Sequence, residues 1–83
     1  PYIFTTDMQR GDSSNDVLQL QKRLNVLPQS AWYGPITTAA VIKYQLAHSI
    51  PGTGYCGPVT RQKLNTSADD SFFSTMVDVT VVI

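Results

Sequence analysis

Apolar residues recur at positions 17, 20, 24 and 27, the three- and four-residue steps that set one stripe along a helix. Gln19, Lys22 and Arg23 fall on the opposite side. The turn cluster Gly11-Asp12-Ser13-Ser14-Asn15 precedes this stripe, so Ser14 or Asn15 is the expected N-cap, with Asp16 at the positive end of the helix. Pro28 is expected to stop the helix near Val26 or Leu27. A second helical pattern runs through Ile36, Ala40, Val41, Tyr44 and Ala47, starting at Gly34-Pro35 and ending near His48 or Ser49. Ile50 is then expected to turn inward before the loop Pro51-Gly52-Thr53-Gly54. A third, shorter helix is launched at Gly57-Pro58 and reaches about Leu64 or Asn65. Two segments read differently. Residues 1–9 carry Tyr2, Ile3, Phe4, Thr5 and Thr6, good strand formers, and predict an extended stretch. Residues 76–83 alternate Val77, Val79 and Val81 with Asp78 and Thr80, a strand pattern placed to pair with residues 2–6 or to lead into a following domain.

The chain repeats itself. Trp32-Tyr33-Gly34-Pro35-Ile36-Thr37 recurs 23 positions later as Tyr55-Cys56-Gly57-Pro58-Val59-Thr60, and the register carries Val41 onto Leu64. Each copy reads aromatic, apolar, Gly, Pro, β-branched, Thr. Gly allows a close or unusual backbone turn, and Pro suits the first turn of a helix, where its missing N–H is no loss. The repeat therefore predicts one device used twice: a tight loop that starts a helix.

Composition narrows the partners. Six basic and six acidic residues cancel, and charged residues are 14% of the 83. A nucleic-acid partner calls for a basic face, and so does attachment to anionic lipid, so neither is expected. Cys56 is the single cysteine, which leaves no internal disulfide to form. The apolar run at the end is too short to span a bilayer as a helix, so no membrane insertion is expected, and no signal peptide is visible. Residues 1–66 read as one domain and 67–83 as a linker with a strand-like tail.

Three motifs in order carry a resemblance. Asp16-Val17-Leu18-Gln19-Leu20-Gln21-Lys22-Arg23-Leu24-Asn25 resembles the "D-V-x-x-L-Q-x-x-L-N" first helix of bacterial peptidoglycan-binding domains. Tyr33-Gly34-Pro35-Ile36-Thr37 through Tyr44-Gln45 is similar to that family's "F-G-P-x-T-x-x-A-V-x-x-F-Q". Gly54-Tyr55-Cys56-Gly57-Pro58-Val59-Thr60 through Leu64-Asn65 is similar to its closing "G-x-x-G-P-x-T-x-x-x-L-N". The resemblance spans residues 7–65 and implies an all-α, three-helix bundle with two Gly-Pro loops and short extended segments at both ends. It implies a non-catalytic module that binds cell-wall peptidoglycan, by glycan strand or stem peptide, and anchors an attached enzyme or protein to murein. Hydrolases, amidases, transpeptidases and phage lysins usually carry such modules, which places it in the cell envelope or outside the cell. The sequence departs from the family where Asp-Gly often precedes each aromatic-Gly-Pro loop, and where Ser49 replaces a frequent Gly after helix two.

Catalysis finds little material. There is one His, one Cys and no Glu. His48 and Cys56 are eight positions apart, but Cys56 takes the Tyr33 slot of the repeat, which the resemblance to the family implies faces inward. Zinc wants three or four good ligands, which one His, one Cys and scattered Asp do not supply, so no metal or cofactor is expected. Asp7, Asp12 and Asp16 suit turn and capping duties better than a paired-carboxylate site. The aromatics suit binding. With Tyr33 and Cys56 inward, Trp32 and Tyr55 turn outward, offering ring faces to sugar in a shallow groove beside the two loops. Arg61, on the exposed side of helix three, is a candidate for a stem-peptide carboxylate. Gln21 and Gln45 sit beside core positions; Gln21 is a candidate ligand contact, and both amides are placed to tie down a loop backbone. Tyr44 belongs to the core stripe, and Asn25 and Asn65 are placed to cap their helices. Two other roles fit the same pattern: an assembly module that kept the fold without the ligand, and a propeptide-like regulator, which would need an exposed Cys56.

Overall fold

The computed structural model describes residues 2–66, and the strand-like tail at 76–83 lies outside them. Three helices follow in order: α1 Asn15–Arg23, α2 Pro35–Ala47 and α3 Pro58–Thr66. Among the described residues the extended backbone forms no named strand, only two isolated antiparallel bridges, Met8 with Cys56 and Ser13 with Trp32. The fold is all-α.

Ser14 is the α1 N-cap, its extended backbone letting the hydroxyl oxygen accept from the Val17 N–H at 3.1 Å. Asp16 follows in the first turn, where the helix dipole favours it. Helix α1 then ends at Arg23, sooner than Pro28 alone would require. Asn25 enters the left-handed region at φ 57°, the Asn25 N–H reaches Lys22 O at 3.3 Å, and the Val26 N–H reaches Gln21 O at 2.8 Å. That pair of bonds is a Schellman motif. It turns Val26 into the interior and leaves Leu27, expected on the core stripe, 73% exposed. Helix α2 ends the same way: Ser49 stands at φ 61°, Ser49 N–H reaches Leu46 O at 3.3 Å, and Ile50 N–H reaches Gln45 O at 2.8 Å. Ser49, without a glycine's freedom, still takes the left-handed turn.

The core gathers Val17 and Leu20 of α1, Val41 of α2 and Leu64 of α3 around Tyr33 and Cys56, with Phe4 and Met8 closing it from the N-terminal segment. Ile36 and Ala47, placed on the α2 stripe by spacing, are exposed instead, because α2 touches the core along the narrower line Thr37, Val41 and Gln45. Tyr44 packs against the core edge, under Arg23 at 5.8 Å and beside His48 at 4.2 Å between ring centroids.

Asn65 corrects another expectation. It lies within α3 and is not a cap. Its amide pairs with both backbone groups of Phe4, accepting from the N–H at 2.8 Å and donating to the C=O at 3.0 Å. Asp16, buried, adds a second clasp by accepting from the Thr6 hydroxyl and N–H and from the Tyr2 hydroxyl. These side chains hold residues 2–6 in place.

Candidate functional site: two matched hollows

The ends of α1 and α2 each feed a loop, and each of these two loops is held by one buried glutamine. Gln21 Oε1 accepts from the Ala31 N–H at 2.9 Å, while its Nε2 donates to Trp32 O at 2.8 Å and to Thr37 Oγ1 at 3.0 Å. Gln45 repeats the pattern: Oε1 accepts from the Gly54 N–H at 2.9 Å, and Nε2 donates to Tyr55 O at 2.8 Å and Thr60 Oγ1 at 3.0 Å. A buried amide with every group satisfied fixes a loop firmly, since each unmet polar group would carry a desolvation penalty. Small hydroxyls complete the turns. Ser30 Oγ accepts from the Trp32 N–H at 3.3 Å and Thr53 Oγ1 from the Tyr55 N–H at 3.1 Å.

The outward and inward assignments hold. Tyr33 and Cys56 are fully buried, whereas Trp32 is 51% and Tyr55 42% exposed. The Tyr33 hydroxyl donates to Gly54 O at 2.6 Å, so the first loop's inward ring braces the second loop. Burial raises the Tyr33 phenol and pushes the Cys56 thiol up to about 12. A buried, neutral thiol is a poor nucleophile or zinc ligand, whereas the propeptide-like role calls for an exposed one. Among the described residues no three His, Cys, Asp or Glu side chains gather as a metal group.

The glycines of the repeat serve close approach. Gly34 has an ordinary φ of −105°, but a Cβ there would run into the Trp32 ring, and a Cβ on Gly57 would lie 2.7 Å from Tyr55 Cε2. Each outer ring therefore packs closely against its own glycine. Beside each ring is a shallow hollow, and the two hollows replace the one groove expected from sequence. The first, about 170 Å³, runs from Trp32 over Gly34, Pro35 and Ile36 to Val26, Pro28 and Ser30, floored by Gln21 and Thr37. The second, about 190 Å³, has Tyr55, Gly57, Pro58, Val59, Ile50, Pro51, Thr53, Gln45 and Thr60 in the corresponding nine places. Ile50 and Val59 also wall a third hollow of about 370 Å³, which continues past His48, Gln62 and Lys63.

The rims differ. Among the described residues, no hydrogen bond holds the Trp32 indole. The Tyr55 hydroxyl donates to Asp7 Oδ2 at 2.8 Å, and Arg61 Nε and Nη2 meet Asp7 Oδ1 at 2.8 and 2.7 Å. Hydrogen bonds from Tyr55 and then Arg61 hold the Asp7 carboxyl below its usual range, and the same bond to Asp7 raises the Tyr55 phenol. Arg61 is thus half-buried with its guanidinium engaged inside the molecule. Gln21 is buried beneath the first hollow, its amide engaged by the loop. The Asp7 clasp went unseen in the sequence because its partners are 48 and 54 positions away.

Fold and hollows together define a small helical binding module with a duplicated, glutamine-tethered loop. The chain belongs to the family described as "Putative peptidoglycan binding domain", which matches residues 13–64, from the turn before α1 to the end of the core in α3. It is also 32% identical over 76 residues to a zinc D-Ala-D-Ala carboxypeptidase of Streptomyces albus G. That alignment covers 83% of this chain and 30% of the relative, so the chain spans less than a third of the protein it matches. Among the described residues no helix is long and apolar enough to cross a membrane.

Proposed function

We propose that this domain binds the glycan strand of peptidoglycan at the Trp32 hollow and anchors an attached enzyme or protein to the cell wall. The observation that carries the reading is Trp32, a large ring half in solvent, packed against Gly34 at the edge of a hollow whose other wall is Pro28 and Val26. A rigid aromatic platform beside a shallow depression suits the apolar face of a pyranose. None of the nine lining residues carries a charge. That favours uncharged sugar over stem peptide, whose ionised groups would need partners. Arg61, the cation the sequence offered for such a carboxylate, is already paired with Asp7. Gln21 acts one step back, as the residue that positions Trp32.

A shallow site gives few buried contacts and weak intrinsic affinity. Attachment to a second domain compensates, because tethering raises effective concentration without new contacts. The fraction of the carboxypeptidase that this chain matches is consistent with a module within a larger wall enzyme. Co-sedimentation with purified murein sacculi tests the reading. Trp32→Ala and Ile36→Asp, the latter at a position 60% exposed and outside the core, should each lower retention about tenfold or more. Wild-type retention of both variants would remove the Trp32 hollow from the account.

A further inference from the structure

We infer that the Tyr55 hollow is a second binding site for the same class of ligand, so that one domain grips two sugar units of the wall polymer at once. The inference rests on the Trp32 hollow being a glycan site. Nine wall positions correspond one for one between the hollows, and the substitutions are conservative: Trp for Tyr, Val for Ile, Ser for Thr, Ile for Val. The supporting glutamine bonds repeat at the same lengths, 2.9, 2.8 and 3.0 Å. Packing alone does not ask for this likeness in the rims. The inward slots of the two loops have diverged from Tyr to Cys, while the exposed slots both keep an aromatic ring against a glycine.

Charge points to the occupant. Like the first hollow, the second has no charged residue among its nine. Asp7 and Arg61 pair with each other at the rim, and Asp7 holds the Tyr55 ring by accepting from its hydroxyl. An uncharged pyranose matches such a wall; a free carboxylate or ammonium does not. The Tyr33 hydroxyl joins the loops by donating to Gly54 O, which ties the spacing of the two sites. Two weak sites held this way reinforce each other on a repeating polymer, by up to about a hundredfold for modest effective concentrations.

The test uses the 83-residue chain, ¹⁵N-labelled and titrated with a soluble disaccharide–tetrapeptide released from murein, with the free tetrapeptide as control. Disaccharide–tetrapeptide should shift amide resonances in both loops, at residues 30–37 and 53–60, and the free tetrapeptide should shift neither. Val59→Asp, at a site 63% exposed and outside the core, should abolish the shifts at 53–60 and leave those at 30–37 unchanged. It should also lower retention on sacculi about tenfold or more, and the Ile36→Asp/Val59→Asp pair should reduce retention to background. Shifts confined to 30–37, with Val59→Asp held by sacculi like wild type, would overturn the second site and leave the first intact. Shifts in neither loop would overturn both.

Discussion

The Trp32 and Tyr55 loops are built alike underneath and differ on top. Below each lies the same Schellman turn, the same buried glutamine and the same threonine in the first turn of the following helix. Above, one ring stands without a hydrogen bond among the described residues, and the other is pinned through its hydroxyl to Asp7. The support of a loop is dictated by its own backbone, whose polar groups must all be met. A rim is free to acquire whatever the rest of the chain brings to it.

The largest test of the shared support is removal of the tether. Gln21→Ala and Gln45→Ala each strand a loop N–H, a loop carbonyl and a buried hydroxyl, and each should destabilise the domain by about 3 kcal/mol or more. Urea unfolding should give nearly equal losses. A loss at one site alone would break the equivalence.

Matched positions should then respond with opposite signs to opposite substitutions. Ala31 and Gly54 both sit at positive φ, 69° and 81°. Gly54→Ala adds a strained residue whose Cβ would lie 2.8 Å from Thr38 Cγ2, and should lower stability by about 2 kcal/mol. Ala31→Gly relieves the same strain against the greater freedom of an unfolded glycine, and should raise stability by about 0.5 kcal/mol. Thermal melts of the two variants measure both signs.

Acid tests the rim clasp at Asp7 beside the Asp16 clasp on the N-terminal segment. Burial would raise the Asp16 carboxyl, but bonds from Thr6, Tyr2 and the backbone more than offset it, so its folded pKa lies below the unfolded value, as does that of Asp7. A depressed carboxyl contributes stability above its unfolded pKa near 3.9, and that stability is lost as pH falls through the folded value. Stability should therefore drop below about pH 4, and Asp16→Asn should flatten the decline. Asp7→Asn has the smallest expected effect on unfolding, since its pair is exposed. Its signature is local: the raised Tyr55 phenol should fall back toward the ordinary tyrosine value near 10, read by ultraviolet absorbance.

Much of this was legible in the chain. The 23-residue repeat located both loops, and reading Tyr33 and Cys56 as inward fixed Trp32 and Tyr55 as outward. Gln21 and Gln45 announced themselves as buried polar groups beside core positions. What escaped was either the exact end of a helix or a distant partner. Asn25 was legible as a cap and the end of α2 near His48 was legible too, but the left-handed turn at Asn25 stops α1 at Arg23, where apolar spacing would have carried it on to Leu27. Asn65 looked like a cap because its true partner, Phe4, is 61 positions away. The single groove became two hollows because periodicity along a helix carries no information about which loop walls meet in space.

The central claim is that the Trp32 ring meets murein sugar. Trp32 is the chain's single tryptophan, so its fluorescence reports on that contact alone. Soluble glycan fragments should shift its emission to shorter wavelength, saturably, in the wild type and not in Ile36→Asp. An emission spectrum that stays unchanged while sacculi still retain the protein would contradict the account.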